Sequence, residues 1–395
     1  MICTNSPVAA PAEAPVSNSG ARGLICLAWA HFLNDGAAFY LPGILPAVLV
    51  ALHQPLAMVG VITAALYIGQ VFQPVAGMMA DHIGGRSFVV FGLATCTGAA
   101  ALIGLAPNVW TLLVLLLISG WGSAVFHPQA LAAVRSLTER RHGGGLAVFL
   151  VGGEFGRGIW PLLTSLIVTR LGLAWLWLIV IPTLLSLPLI TRLTPRLPPR
   201  SSTTEKIHWR AHRRPFFILV GFSAFRALVA FGTIVFIPIM WKLRGGALVS
   251  GAALISTLLI AGVIGQIGGG TAADRLGRRH VLIASAVLVV IFEPLLVISH
   301  GWLLWLLAAL MGVAMFSTFS ATLLIGQDIF PENRALGSGL ALGFSNALGV
   351  TALLPLGWVL HRLGIEAVFA ILTLGAVMML ILTLGFSRKV HPAME

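Results

Sequence analysis

The chain is 395 residues long, 58% hydrophobic and only 9% charged, with a mean hydropathy of +0.98. A soluble domain carries roughly 25% charged residues, so this chain cannot cover itself with a hydrated surface, and lipid is its solvent. The net charge of +12 would suggest nucleic-acid binding in a soluble protein; in a membrane chain basic loops on one side account for it, and no nucleic-acid partner is expected.

In chain order, residues 1–21 are small, Pro-rich and without a basic start, and they read as a disordered cytoplasmic tail rather than a signal peptide. Six apolar segments follow near 22–51, 56–80, 87–105, 109–135, 145–169 and 174–193. Each is close to the roughly 20 residues a helix needs to cross a bilayer, and none alternates strictly as a barrel strand would. Residues 194–214 hold Pro195, Pro198 and Pro199 among many arginines and read as a basic cytoplasmic linker. Six more segments lie near 215–241, 248–271, 279–298, 301–327, 335–360 and 364–387, before a C-tail of 388–395. The expected architecture is therefore all-α, with twelve transmembrane helices in two six-helix bundles, 22–193 and 215–387. Of the three cysteines, Cys26 and Cys96 fall in apolar segments and Cys3 in the tail, with no disulfide or metal spacing.

The two sets repeat each other. Gly77, Asp81, Gly84 and Arg86 follow one apolar segment, and Gly270, Asp274, Arg275, Gly277, Arg278 and Arg279 follow another at nearly half the chain length. Gly145-Leu146-Ala147 recurs as Gly339-Leu340-Ala341, and Arg170-Leu171-Gly172 as Arg362-Leu363-Gly364, at almost the same offset. Most of the 24 basic residues fall on the side of the termini and linker, with only Arg170, Lys242, Arg244 and Arg362 in the opposite loops. The positive-inside rule then places both termini in the cytoplasm.

Two parallel six-helix repeats joined by such loops resemble the major facilitator superfamily, whose halves are related by an axis along the membrane normal. The second loop matches that family's signature in full, while His82 and Gly85 stand where the first usually has basic residues. The resemblance implies a latch: Asp81 braces a C-half helix, and Asp274 an N-half helix, in the outward-facing state. Arg86, Arg278 and Arg279 would complete it. An acid facing a helix N-terminus is favoured by the helix dipole.

A set of ionisable residues lies within the spans away from the cytoplasmic helix ends: His31 and Asp35 on span 1, His127 on span 4, Glu154 and Arg157 on span 5, Arg226 on span 7 and Glu293 on span 9. A charge at the membrane centre costs roughly 2.5–3.5 kcal/mol on insertion scales, so each is a functional candidate. At 1.5 Å per residue, the acids and arginines of spans 1, 5 and 7 lie roughly 14–20 Å deep, near the midplane, with the histidines a little shallower. In the facilitator fold spans 1, 4, 5 and 7 line the central cavity. The resemblance thus makes His31, Asn34, Asp35, His127, Glu154, Arg157 and Arg226 the expected substrate and proton site. His31 and Asp35 share a helix face, and Glu154 and Arg157 can neutralise each other. Arg226 has no acid on its own helix; Asp35 across the span 1 and span 7 interface, or an anionic substrate, is the expected countercharge. Glu293, on a peripheral span toward the outer end, reads as interfacial or structural.

The stretch Gly120-Trp121-Gly122-Ser123-Ala124-Val125-Phe126-His127-Pro128, with His31-Phe32-Leu33-Asn34-Asp35, resembles the fosmidomycin-resistance branch of the superfamily, made of inner-membrane drug exporters. Leu116 stands where many drug/proton antiporters carry an arginine, and Trp160-Pro161 replaces their Gly-Pro, although Gly156 remains. The expected function is a secondary transporter of the bacterial inner membrane working by alternating access. It would export a small, anionic organic compound or drug as a monomer, with the proton gradient as its energy source and no cofactor or metal. Arg157 and Arg226 would attract the anion, and Asp35, Glu154 and the histidines would exchange protons. Proton-coupled uptake of an organic acid or metal chelate is the alternative. A receptor or membrane enzyme is remote, since no nucleophile elbow, phosphate loop or soluble sensory domain is present.

Overall fold

The structure, a computed structural model, describes residues 18–83, 85–138, 142–197, 209–331, 337 and 339–386. Among the described residues there are helices and no strand. Eleven helical stretches are long and apolar enough to cross a membrane: α1 Gly20–Ala51, α2 Met58–Ala80, α3 Arg86–Leu105, α4 Val109–Leu137, α5 Gly145–Leu171, α6 Leu173–Leu193, α7 His212–Leu243, α8 Leu248–Leu276, α9 Arg278–Ile298, α10 Gly301–Ile329 and α12 Ile365–Thr383. Between the last two runs α11, over 340–363. It consists of a π-turn Leu340–Phe344 and two α-segments, Ser345–Thr351 and Leu353–Leu363.

Several boundaries differ from expectation for local reasons. The helix containing α7 begins at Trp209, so the end of the expected linker is already helical. The eleventh span, expected over 335–360, is interrupted and reaches Leu363. The first span breaks at Tyr40, just ahead of Pro42, which has no N–H to continue the helical hydrogen-bond ladder. The Tyr40 hydroxyl donates to the Ala100 carbonyl at 2.6 Å, pinning the break to α3. The tail 1–17, the linker residues 198–208, the C-tail 388–395, Gly84 and the Asp81 side chain lie outside the described residues.

Each half packs on itself. α1 runs against α5, α4 and α3, and α7 runs against α12 and α11. Small residues set the closest approach: a Cβ on Gly152 would meet the Ala28 carbonyl oxygen at 2.4 Å, and one on Gly156 the Phe32 carbonyl oxygen at 2.3 Å. This Gly-x-x-x-Gly edge lets α5 lie directly on α1, the packing that lipid-facing bundles rely on where water supplies no driving force.

Among the described residues, the halves meet mainly through three sets of contacts. The second segment of α1 packs on α7 and α8, α5 packs on α8, and α2 packs on α11. These contacts lie toward the end holding the loop after Ala51: a Cβ on Gly60 would meet the Leu353 carbonyl oxygen at 2.3 Å, and one on Gly357 the Ala57 oxygen at 2.4 Å. At the opposite end, the segment Gln73–Ile83 packs on α4 and Phe319–Ile329 packs on α7, α8 and α9, each within its own half. Among the described residues, the bundle is thus closed at the loop-52–57 end and splayed at the end of the doubled loops.

That splay explains where the latch residues sit. Asp274 and Arg275 are exposed. Arg86 donates to the Thr194 and Arg192 carbonyls at 2.8 Å each, tying α3 to the end of α6. Arg278 bonds Asp328 of α10, and Arg279 donates to the Thr383 carbonyl at 3.4 Å. The three arginines expected to bridge the halves each brace their own half in this state. Gly77 faces Pro128, Gly270 faces Ser320, and Gly277 (φ 89°) makes the turn between α8 and α9.

Candidate functional site

Asp35 is fully buried on α1, and four side chains from three helices converge on it. Arg157 of α5 donates from Nε to Oδ2 at 2.8 Å. His127 of α4 places Nε2 at 3.0 Å from Oδ1, and His31, one turn back on α1, places Nε2 at 3.4 Å from Oδ2. Asn34 donates to Oδ1 at 3.1 Å and also to the Ser123 hydroxyl at 3.0 Å. Arg157 reaches back along its own helix to Glu154, Nη1 to Oε1 at 3.3 Å. The close α1–α5 packing is what makes this reach possible.

The two histidines are oriented by the main chain. His31 Nδ1 lies 2.8 Å from the Phe149 carbonyl and His127 Nδ1 lies 2.8 Å from the Ser123 carbonyl. A carbonyl only accepts, so both Nδ1 atoms carry protons, and both Nε2 atoms turn toward a carboxylate that also only accepts. Each ring can bond at both nitrogens only as the doubly protonated imidazolium. Charge counting allows one such ring at a time: two carboxylates and one guanidinium leave one negative charge, and a single extra proton shared by the histidine pair neutralises the cluster. A neutral cluster is the cheapest arrangement in a membrane interior.

His31, Asp35 and His127 also place their ligand atoms within 4.8 Å of one another, a donor set of the two-histidine, one-carboxylate kind. No metal was expected from the sequence. The Arg157 guanidinium on Oδ2 puts a positive charge where a metal ion would sit, which disfavours a metal there.

Of the two countercharges expected for Arg226, Asp35 and an anionic substrate, Asp35 is not the one that balances it. Asp35 is taken up by Arg157 and the histidines. Arg226 Nη2 instead donates to the Asn346 side-chain carbonyl at 3.1 Å, and its buried Nε has no partner. Both arginines line one cavity of about 40 Å³ between the halves, together with Phe39, Phe231, Phe319 and Asn346. On the closed side of this cavity Phe231 packs on Tyr67, ring centroids 4.8 Å apart, and on Phe39 at 6.4 Å. The Arg157 guanidinium lies 4.4 Å over the Phe39 ring.

Glu293 is fully buried rather than interfacial. Its carboxyl oxygens lie 2.9 and 3.1 Å from the Thr233 hydroxyl, which lies 2.6 Å from the Val229 carbonyl. One hydroxyl proton cannot serve two acceptors, and the bonds close if Glu293 carries a proton and donates to Thr233. This residue ties α9 to α7 away from the cavity.

Sequence reasoning missed Asn346, Ser123, Phe39, Tyr67 and Phe231. Asn346 had a signal, since Ser345-Asn346 is a polar pair within an apolar span. It also lies just past the π-turn 340–344, a feature common at functional sites. The aromatic residues had none, because an aromatic on an apolar helix is indistinguishable from core.

Two helical bundles enclosing a charged cavity, closed at one end and splayed at the other, define a membrane transporter rather than an enzyme. The Major Facilitator Superfamily profile matches residues 27–271 and 246–395, and the chain belongs to that family. Over 381 residues it is 26% identical to the fosmidomycin resistance protein of Escherichia coli (strain K12), covering 92% of this chain and 93% of that one. It is 24% identical over 360 residues to the transporter YfnC of Bacillus subtilis (strain 168), covering 87% of each. Among solved structures, a point mutant of the nucleoside transporter NupG superposes with a TM-score of 0.76 at 16% identity, covering 94% of this chain and all of that one. A bacterial homologue of the human lysosomal transporter Spinster, inward-facing and unoccupied, gives 0.74 at 15% identity, covering 96% of this chain and all of that one. The chain is a multi-pass membrane protein of a transporter family, and its surroundings are a lipid bilayer.

Proposed function

We propose that this protein is a proton-coupled exporter of a small anionic organic compound, working by alternating access in a bacterial inner membrane with both termini in the cytoplasm. The observation that carries this reading is the neutralisable cluster of His31, Asp35, His127, Glu154 and Arg157, set against a cavity that also holds Arg226 of the other half. With the basic loops cytoplasmic, the splayed end opens to the cytoplasm and the aromatic plug of Phe39, Tyr67 and Phe231 closes the outer side. Substrate loads from inside, the halves rock, and outward opening exposes the cluster to protons that reset it.

Arg157 couples the two events. Its guanidinium shares Asp35 with the histidines and sits over Phe39, so proton gain at the histidines changes the charge that α5 and α1 present to the cavity. The resemblance to the Escherichia coli protein supports export over import. The experiment is a resistance profile. A strain overexpressing the protein should survive fosmidomycin, or another small toxic anion, at higher doses than a deletion strain; sensitisation by expression would instead make the protein an importer.

A further inference from the structure

Arg226 is only 6% exposed and lies at the interface between halves, yet no acidic side chain among the described residues pairs with it. Its two described polar relations are the bond to Asn346 and an Nε that bonds nothing. A buried cation without a countercharge is costly in low dielectric. The other cation lining the cavity, Arg157, is already held by Asp35 and Glu154.

The surroundings of Arg226 are otherwise apolar. Phe319 lies beneath it with the ring centroid 6.0 Å from the guanidinium carbon, and Phe231, Ile234 and Met315 line the same cavity. Asn346 holds one terminal nitrogen of the guanidinium through its side-chain carbonyl, and the buried Nε is left without a partner. A planar guanidinium with a free Nε donor is shaped for a carboxylate, sulfonate or phosphonate group.

We propose that Arg226 and Asn346 form the anion-binding station of the substrate site, taking a single anionic group joined to an aromatic or otherwise apolar body that packs on Phe39, Phe231 and Phe319. The two halves then divide the work. The N-half cluster keeps its arginine neutralised internally and handles protons, and the C-half arginine receives its counter-ion only when substrate arrives. The preferred substrate carries one negative charge, because the cavity offers one uncompensated cation. This rests on the transporter reading above and sharpens the substrate class within it.

The test uses purified full-length protein in nanodiscs with no pH gradient, so a fault in proton coupling cannot disturb it. Thermal stabilisation and tryptophan quenching are measured with benzoate, benzenesulfonate and phenylphosphonate, with benzamide as the neutral match and benzylamine as the cationic one. At least one anion should stabilise the wild type, while benzamide and benzylamine should not. R226Q should weaken anion binding roughly tenfold or more, R226K should restore part of it, and N346A should fall between. The proposal is overturned if none of the three anions binds, if benzamide binds as well as benzoate, or if R226Q keeps full anion binding. Should R226Q fail to fold, N346A and the charge series on the wild type still decide the matter.

Discussion

Arg157 of α5 and Asp35 of α1 are joined by a 2.8 Å hydrogen bond between residues 122 positions apart. That bond organises the site: it fixes which arginine is spoken for, which is left over, and where the histidines must aim. It depends on close packing of α5 against α1, and hence on the glycines of Gly152-x-x-x-Gly156.

Replacing Arg157 with lysine keeps the charge but loses the planar fork that reaches Asp35 from Nε and Glu154 from Nη1. R157K should lower gradient-driven transport at least about tenfold and cost about 1–3 kcal/mol of stability, since the buried Asp35 carboxylate loses a hydrogen-bond partner. Flux in proteoliposomes and thermal denaturation on the same preparation check the two separately.

Part of the closed end is held by close main-chain approach at glycines. A methyl group on Gly60 or Gly357 would collide with main-chain oxygens of the facing helix at 2.3 and 2.4 Å, which cannot move out of the way cheaply. G60A and G357A should therefore shift the protein toward the outward-open state. Spin-label distances between the outer ends of α2 and α11 should lengthen, and those between the ends of α4 and α10 near the doubled loops should shorten.

Phe231 seals the cavity through its packing on Tyr67 and Phe39. F231A should leave the fold intact but make the outer side leaky, so that the steady-state gradient of substrate falls by more than the initial rate does. Time courses of uptake into inverted vesicles separate the two quantities.

Glu293 lies outside the cavity lining and ties α9 to α7. E293Q keeps a donor for the Thr233 hydroxyl and should transport as the wild type does, within about 1 kcal/mol of its stability. T233V leaves the carboxyl unpartnered in a buried place and should lose about 1–3 kcal/mol. Parallel melting curves and flux measurements give both results.

Much of the architecture was legible in the sequence, because apolar length, basic loops and a repeated glycine–acid–glycine loop are one-dimensional signals. The depth of Asp35, Glu154, Arg157 and Arg226 was legible for the same reason: position along a helix converts directly to height in a bilayer. Their pairing was not. Asp35 was expected opposite Arg226 from the symmetry of spans 1 and 7, whereas the glycine edge of α5 brings Arg157 closer. Rotation about a helix axis depends on such packing, and periodicity in a helix buried on most sides says little about it. The same holds for Glu293, whose height suggested an interface and whose azimuth hides it between α7 and α9. The breaks at Tyr40 and in α11 were partly announced by Pro42 and by Ser345-Asn346.

The central claim is that Asp35 and its histidines carry the proton that drives transport. It is tested most directly in proteoliposomes loaded with a compound from the resistance profile, comparing wild type with D35N under an imposed pH gradient and without one. The wild type should accumulate substrate against its gradient, while D35N should lose that accumulation yet retain downhill exchange, since Arg226 remains to bind the anion. Undiminished gradient-driven accumulation by D35N would contradict the account.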